Sequence, residues 1–164
     1  MRNLVASALF IALIVVTTAF VKIPITLGYV HLGDAFILLA CFVLKPKFSV
    51  VVGALGSALA DLILGYFIYI PATFIVKCFV ALTFALLIYK RTSLIRQIIG
   101  IVICSLIIGF GYLAFETILY GFTASIVSLP MNLLQGLSCG IVAILLIKSF
   151  NSIQPLKSFR EKLM

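Results

Sequence analysis

The chain has 164 residues, 65% of them hydrophobic and 10% charged, whereas soluble domains carry about 25% charged residues, so a soluble globular protein is excluded. Its formal charge of +8, from 12 Lys and Arg against 4 acids, would alone suggest a nucleic-acid binder, but a mean hydropathy of +1.37 points to the lipid bilayer and away from nucleic acid. Because a crossing takes about 20 apolar residues, the length suits an all-α integral membrane protein of about six transmembrane helices in one bundle, with no soluble domain beside it.

The first apolar run covers residues 4–21, behind Arg2. It is longer than the apolar core of a signal peptide, about 7–15 residues, and no A-x-A cleavage pattern follows it, so it is predicted to be the first membrane helix. Ala8 and Ala12 lie four apart on it, with Ser7 adjacent, a spacing that lets another helix backbone approach closely. Lys22-Ile23-Pro24 through His31 connect it to a second run, residues 32–44, which Asp34 opens. That run is short for a straight crossing; it either extends through the preceding connection or enters the membrane partway.

Lys45-Pro46-Lys47 precede the third run, 48–68, which carries Asp61 and Tyr66. Tyr69-Ile70-Pro71 lead to the fourth, 72–89, where Thr73 and Lys77 share a helical face. Lys90-Arg91-Thr92-Ser93 precede the fifth, 94–120, with Tyr112, Glu116 and Tyr120 in one stripe. Gly121-Phe122-Thr123 precede the sixth, 125–148, lined by Ser128, Asn132 and Gln135. Residues 149–164 form a basic, amphipathic tail attracted to anionic lipid. No internal repeat divides the chain, and 1–164 reads as a single membrane domain. The small-residue pairs Gly53 with Ser57, Ala54 with Ala58 and Gly136 with Gly140 suit internal helix packing.

Arg2, Lys45, Lys47, Lys90, Arg91, Arg96, Lys148, Lys157, Arg160 and Lys162 fall on one side of a six-helix arrangement. Cytoplasmic loops are enriched in Lys and Arg, so both termini are predicted to be cytoplasmic, with the 22–31, 69–71 and 121–124 connections outside. Cys41, Cys78, Cys104 and Cys139 lie in apolar runs without CxxC spacing and read as buried hydrophobes, not disulfides or metal ligands. There is no phosphate-binding loop, nucleophile elbow or H-E-x-x-H. Hence no catalytic residue, metal or cofactor is predicted, and a transporter of this kind needs energising partners or an ion gradient.

Ionisable residues inside membrane helices cost about 2.5–3.5 kcal/mol each on insertion scales and are usually functional. Asp34, Asp61, Lys77 and Glu116 fall in the outer halves of four different segments, where the polar stripes converge on an outward cavity. Tyr29, His31, Tyr66 and Tyr69 stand in or beside the outer connections, placed to close over a ligand or to form the interfacial aromatic belt. Lys77 can neutralise Asp61 or Asp34, yet three carboxylates against one Lys make a poor purely structural match. The predicted polar contacts are Asp34, Asp61, Lys77, Glu116 and Asn132, and the predicted ring contacts Tyr66, Tyr69 and Tyr112. The carboxylate excess favours a neutral or weakly basic heteroaromatic ligand over an anionic one. A non-transporting membrane scaffold, a stand-alone proton-coupled carrier and an intramembrane enzyme are the rival readings.

Four segments carry a family resemblance: the AxxxA of the first run, Tyr29-Val30-His31-Leu32-Gly33-Asp34, Gly53 through Asp61-Leu62, and Gly65-Tyr66 through Val76-Lys77. With them the chain resembles, over nearly its whole length, the substrate-binding S components of energy-coupling factor (ECF) vitamin transporters. It looks most like the branch associated with hydroxymethylpyrimidine and pyridoxine uptake. The resemblance implies a multi-pass protein of a prokaryotic cell membrane that binds a vitamin tightly near the outer face. It also implies a membrane scaffold subunit and two cytoplasmic ATPases as partners, toppling of the S component in the bilayer, and Ala8 and Ala12 as the surface that meets the scaffold. Many vitamin-binding members use Trp in the pocket; this chain has none, so stacking falls to Tyr or Phe.

Overall fold

The computed structural model describes residues 1–24, 29–89 and 92–163; the Lys90-Arg91 break and the middle of the 22–31 connection lie outside them. All six predicted runs are helical. Helix α1 covers Arg2–Phe20. Two short strands follow, β1 (Lys22–Pro24) and β2 (Tyr29–His31), paired antiparallel with Lys22 opposite His31. Helix α2, Gly33–Val43, stops where Leu44 and Lys45 turn extended ahead of Pro46, because a proline ring disfavours helical backbone in the residue before it. Pro46 opens α3, Pro46–Leu64, at the position where a missing N–H is tolerated. Gly65, at φ +81°, ends α3: Tyr66 N–H bonds the Asp61 carbonyl at 2.9 Å and Gly65 N–H the Leu62 carbonyl at 3.3 Å. This is the left-handed glycine stop that satisfies the last helical carbonyls.

A 3-10 turn at Phe67–Tyr69 leads into α4, Ile70–Ile88, and α5 runs Leu94–Tyr120. The last run departs from expectation. A single turn, α6 (Phe122–Ser125), comes first, and the long helix α7 covers Leu129–Ser152 with Pro130 in its first turn. A proline is accommodated there but not inside a helix begun at 125. The tail also departs from a solvated end, because residues Gln154–Glu161 form α8, which folds back on the bundle. Arg160 Nε donates to the Phe42 carbonyl at 2.8 Å, its guanidinium lies 3.9 Å from the Phe42 ring centre, and Leu163 is buried.

Helices α1, α3, α4, α5 and α7 pack in that order, each against the next, and α2 packs on α1, α3, α4 and α7. Every residue of α2 except Phe36 is buried. At about 1.5 Å per residue it spans about 16 Å, roughly half of a hydrocarbon layer about 30 Å thick. It is too short to cross such a layer by itself, and the helices long and apolar enough to cross a membrane number five among the described residues. The α5 and α7 backbones touch at Gly136, where a Cβ would stand 2.6 Å from Ser105 Cα. Asp34, Lys77 and Glu116 are at most 1% exposed while Phe79 and Ile118 are 56% and 83% exposed. Charges inside and large apolar side chains outside are what a lipid solvent selects.

Candidate functional site

A polar cavity lies beneath the β1–β2 hairpin, between α3, α4, α5 and α7. The hairpin contributes Tyr29 and His31, α3 contributes Asp61, and Tyr69 and Thr73 come from the start of the α4 region. Tyr112 and Glu116 come from α5, and Asn132 and Gln135 from α7. The cavity volume is about 30 Å³, and the empty space around it, open solvent included, about 370 Å³.

Asp61 sits one turn before the Gly65 stop, so the helix end aims it under the hairpin. The Tyr29 hydroxyl donates to its Oδ1 at 2.5 Å. Its other oxygen, Oδ2, is buried with no hydrogen-bond partner among the described residues. Glu116 accepts from the Ser128 hydroxyl and, at 3.4 Å, from Tyr69, and Asn132 Nδ2 donates to Ser128 Oγ at 3.5 Å. Thr73 and Tyr112 hydroxyls are 3.0 Å apart. The rings form a chain: Tyr29 to Tyr66 at 4.7 Å, Tyr66 to Tyr69 at 6.4 Å, and Tyr69 to Tyr112 at 6.5 Å between centroids. These tilted and edge arrangements are the ones aromatic quadrupoles favour.

Beneath the cavity lies a second, buried polar layer. Lys77 Nζ is 2.8 Å from both oxygens of Asp34, which stands in the first turn of α2, where the helix dipole favours a carboxylate. Gln135 joins this pair to the hairpin: Nε2 donates to Asp34 Oδ2 at 2.7 Å and Oε1 accepts the His31 N–H at 3.2 Å. Cys139 Sγ donates to the His31 carbonyl at 3.2 Å. His31 Nδ1 accepts the Gly33 N–H at 3.1 Å and lies 3.3 Å from Thr18 Oγ1, and Nε2 lies 3.4 Å from Gln135 Nε2. Burial, with Lys77 reinforcing and Asp34 opposing, lowers the His31 pKa to about 4, so the ring is neutral.

Of the sequence-predicted residues, Asp61, Tyr69, Tyr112, Glu116 and Asn132 line the cavity. Asp34 and Lys77 form the buried pair under it, and Tyr66 stands one ring back, against Tyr29 and Tyr69. Tyr120, the end of the α5 stripe, is 43% exposed. Tyr29, His31, Thr73 and Gln135 join the lining. Gln135 and Thr73 were visible as members of polar stripes, whereas Tyr29 and His31 needed the hairpin to bring them over the cavity. Among the described residues no group of three or more His, Cys, Asp or Glu could hold a metal ion. Ala8 and Ala12 are exposed on the outer side of α1, Ala8 beside an apolar hollow with Leu4, Ile11 and Phe48.

Comparison with known proteins places this architecture in a family. A protein of Pyrococcus woesei, described as an uncharacterized protein in the gap 3′ region, is 30% identical over 131 residues, covering 79% of this chain and 87% of that protein. The profile of the family described as ECF-type riboflavin transporter, S component, matches residues 1–152. The match takes in the AxxxA helix, the hairpin and every residue of the cavity wall. By that match the chain belongs to the ECF-type riboflavin transporter S component family.

Proposed function

We propose that this chain is the substrate-binding subunit of an ATP-driven ECF vitamin importer and takes a small single-ring heteroaromatic vitamin or precursor, pyridoxine or hydroxymethylpyrimidine, from outside. The observation that carries this reading is the cavity under the hairpin: Tyr69 and Tyr112 supply ring faces, while Asp61, Glu116 and Asn132 supply a few directed polar contacts. A hollow with convergent polar groups is the usual form of a small-molecule site. Its volume, about 30 Å³ against about 300–1,000 Å³ for the usual ligand pocket, is small, which suits a single ring better than a fused three-ring system. A ligand of about a dozen heavy atoms, at about 1 kcal/mol each, reaches nanomolar affinity. The family description supports a second reading, riboflavin, whose three fused rings demand more room.

In this reading the chain is a single membrane domain of a prokaryotic cell membrane, with the basic end of the bundle and both termini cytoplasmic. ATP hydrolysis belongs to two separate ATPase subunits, coupled through a membrane scaffold subunit that Ala8 and Ala12 face. Thermal-shift screening of the detergent-purified chain tests the ligand, because a compound at about 100 times its dissociation constant stabilises the fold by about 2.7 kcal/mol. The expected result is a shift with pyridoxine or hydroxymethylpyrimidine and none with thiamine, pantothenate, biotin or folate. A shift with riboflavin alone transfers the assignment to riboflavin. No shift at all, once copurified ligand has been removed, overturns the binding role in favour of a non-transporting scaffold.

A further inference from the structure

The cavity wall holds two carboxylates, Asp61 and Glu116, and no Lys or Arg. The buried cation nearest by sequence expectation, Lys77, is committed to Asp34, 2.8 Å from each carboxylate oxygen, so that pair adds no net charge. Lys22 packs its ammonium 5.6 Å from the Tyr29 ring centre and lines a neighbouring apolar hollow instead.

The two cavity carboxylates are not equivalent. Glu116 has donors for both oxygens, Ser128 and Tyr69. Asp61 is 4% exposed; the Tyr29 hydroxyl serves one oxygen and the Thr73 hydroxyl and the Lys77 charge also act on the carboxylate, while Oδ2 has no well-formed hydrogen bond among the described residues. A buried carboxylate oxygen left without a donor is costly. An alkylammonium group supplies that donor and the charge together, and such charge-assisted bonds are about twice as strong as neutral ones. Tyr69 also lines the cavity, and a tyrosine face attracts a cation; the Tyr29 and Tyr112 rings already have Lys22 at 5.6 Å and Lys77 at 5.5 Å.

We propose that the ligand of this site carries a cationic nitrogen group and that Asp61 is the residue that selects for it. This rests on the single-ring reading above and narrows it. Neutral single-ring compounds bind more weakly, and anionic ones are rejected by two carboxylates facing them without a counter-ion.

The test is calorimetric titration of the full-length purified chain with pyridoxine, its aminomethyl analogue pyridoxamine, its carboxylate analogue 4-pyridoxate, and riboflavin. Pyridoxamine is expected to bind at least about tenfold more tightly than pyridoxine, with 4-pyridoxate weakest. Asp61→Asn, which keeps the shape and removes the charge, should abolish the pyridoxamine advantage, and Glu116→Gln should leave most of it. The wild-type series stands by itself if Asp61→Asn fails to fold. Equal binding of pyridoxine and pyridoxamine, or tighter 4-pyridoxate, overturns charge selection and leaves the single-ring reading intact. An advantage that survives in folded Asp61→Asn removes Asp61 from the role. Riboflavin binding without any single-ring compound, or no binding at all, sinks the single-ring reading and this inference with it.

Discussion

Lys77 and Asp34 meet with no solvent to share their charges: side-chain exposures are 0% and 1%. Such a pair adds little net stability over an apolar substitute of similar volume, but removing one partner strands the other and costs about 3–5 kcal/mol. Lys77→Met should therefore destabilise the protein by about that amount, while the double variant Asp34→Asn with Lys77→Met recovers most of it. Denaturation midpoints of the three proteins in one detergent measure this. Equal losses in single and double variants would mean that the pair is not the source. The pair also has a positional role, because the Gln135 amide reads Asp34 on one side and the His31 backbone on the other.

The hairpin and α7 are joined through His31, and that joint is pH-sensitive. The ring is buried against Asp34, whose charge favours protonation, and Lys77, whose charge opposes it; burial dominates and lowers its pKa from 6.5 to about 4. A histidine whose folded pKa is depressed contributes stability that is complete above about 6.5 and is lost as pH falls from there toward about 4. The melting temperature of the wild type is expected to fall across that window, and His31→Asn, which retains an acceptor for the Gly33 N–H, should flatten this component. Parallel pH profiles would assign the slope to another group. The two three-residue strands are too short to show a period of two in sequence, so this element could be read only as a connection. The helices were legible because apolar length and flanking charge are strong signals. Which carboxylate Lys77 chooses was not, since that depends on α2 packing beside α4. Asp61, Glu116 and Asn132 were findable as polar intrusions in apolar runs, but Tyr29 reaches Asp61 only because the chain doubles back over the bundle.

At the scale of the whole molecule, the proposed ligand site and the proposed scaffold contact have no lining residue in common. The cavity opens beneath the hairpin, whereas Ala8 lies beside Lys47 and Phe48 near the start of α3. A bulky substitution at this exposed helix face, Ala8→Trp, should leave vitamin binding unchanged and reduce copurification with the scaffold subunit by about tenfold or more, because small residues are what allow close backbone approach between membrane helices. Loss of ligand affinity together with assembly would instead place Ala8 in the fold itself.

Because α2 is only half as long as the bilayer is thick, it acts as the floor of a cup, not as a strut in a tube. Leu38, Phe42, Leu44, Phe84 and Ile88, each at most 2% exposed, fill that floor, and the Arg160 contact to Phe42 braces it from below. In the reading proposed above, a molecule in the cup meets this packed layer beneath it and the open mouth above. Delivery to the far side would then call for moving the rim relative to the bilayer or unpacking the floor.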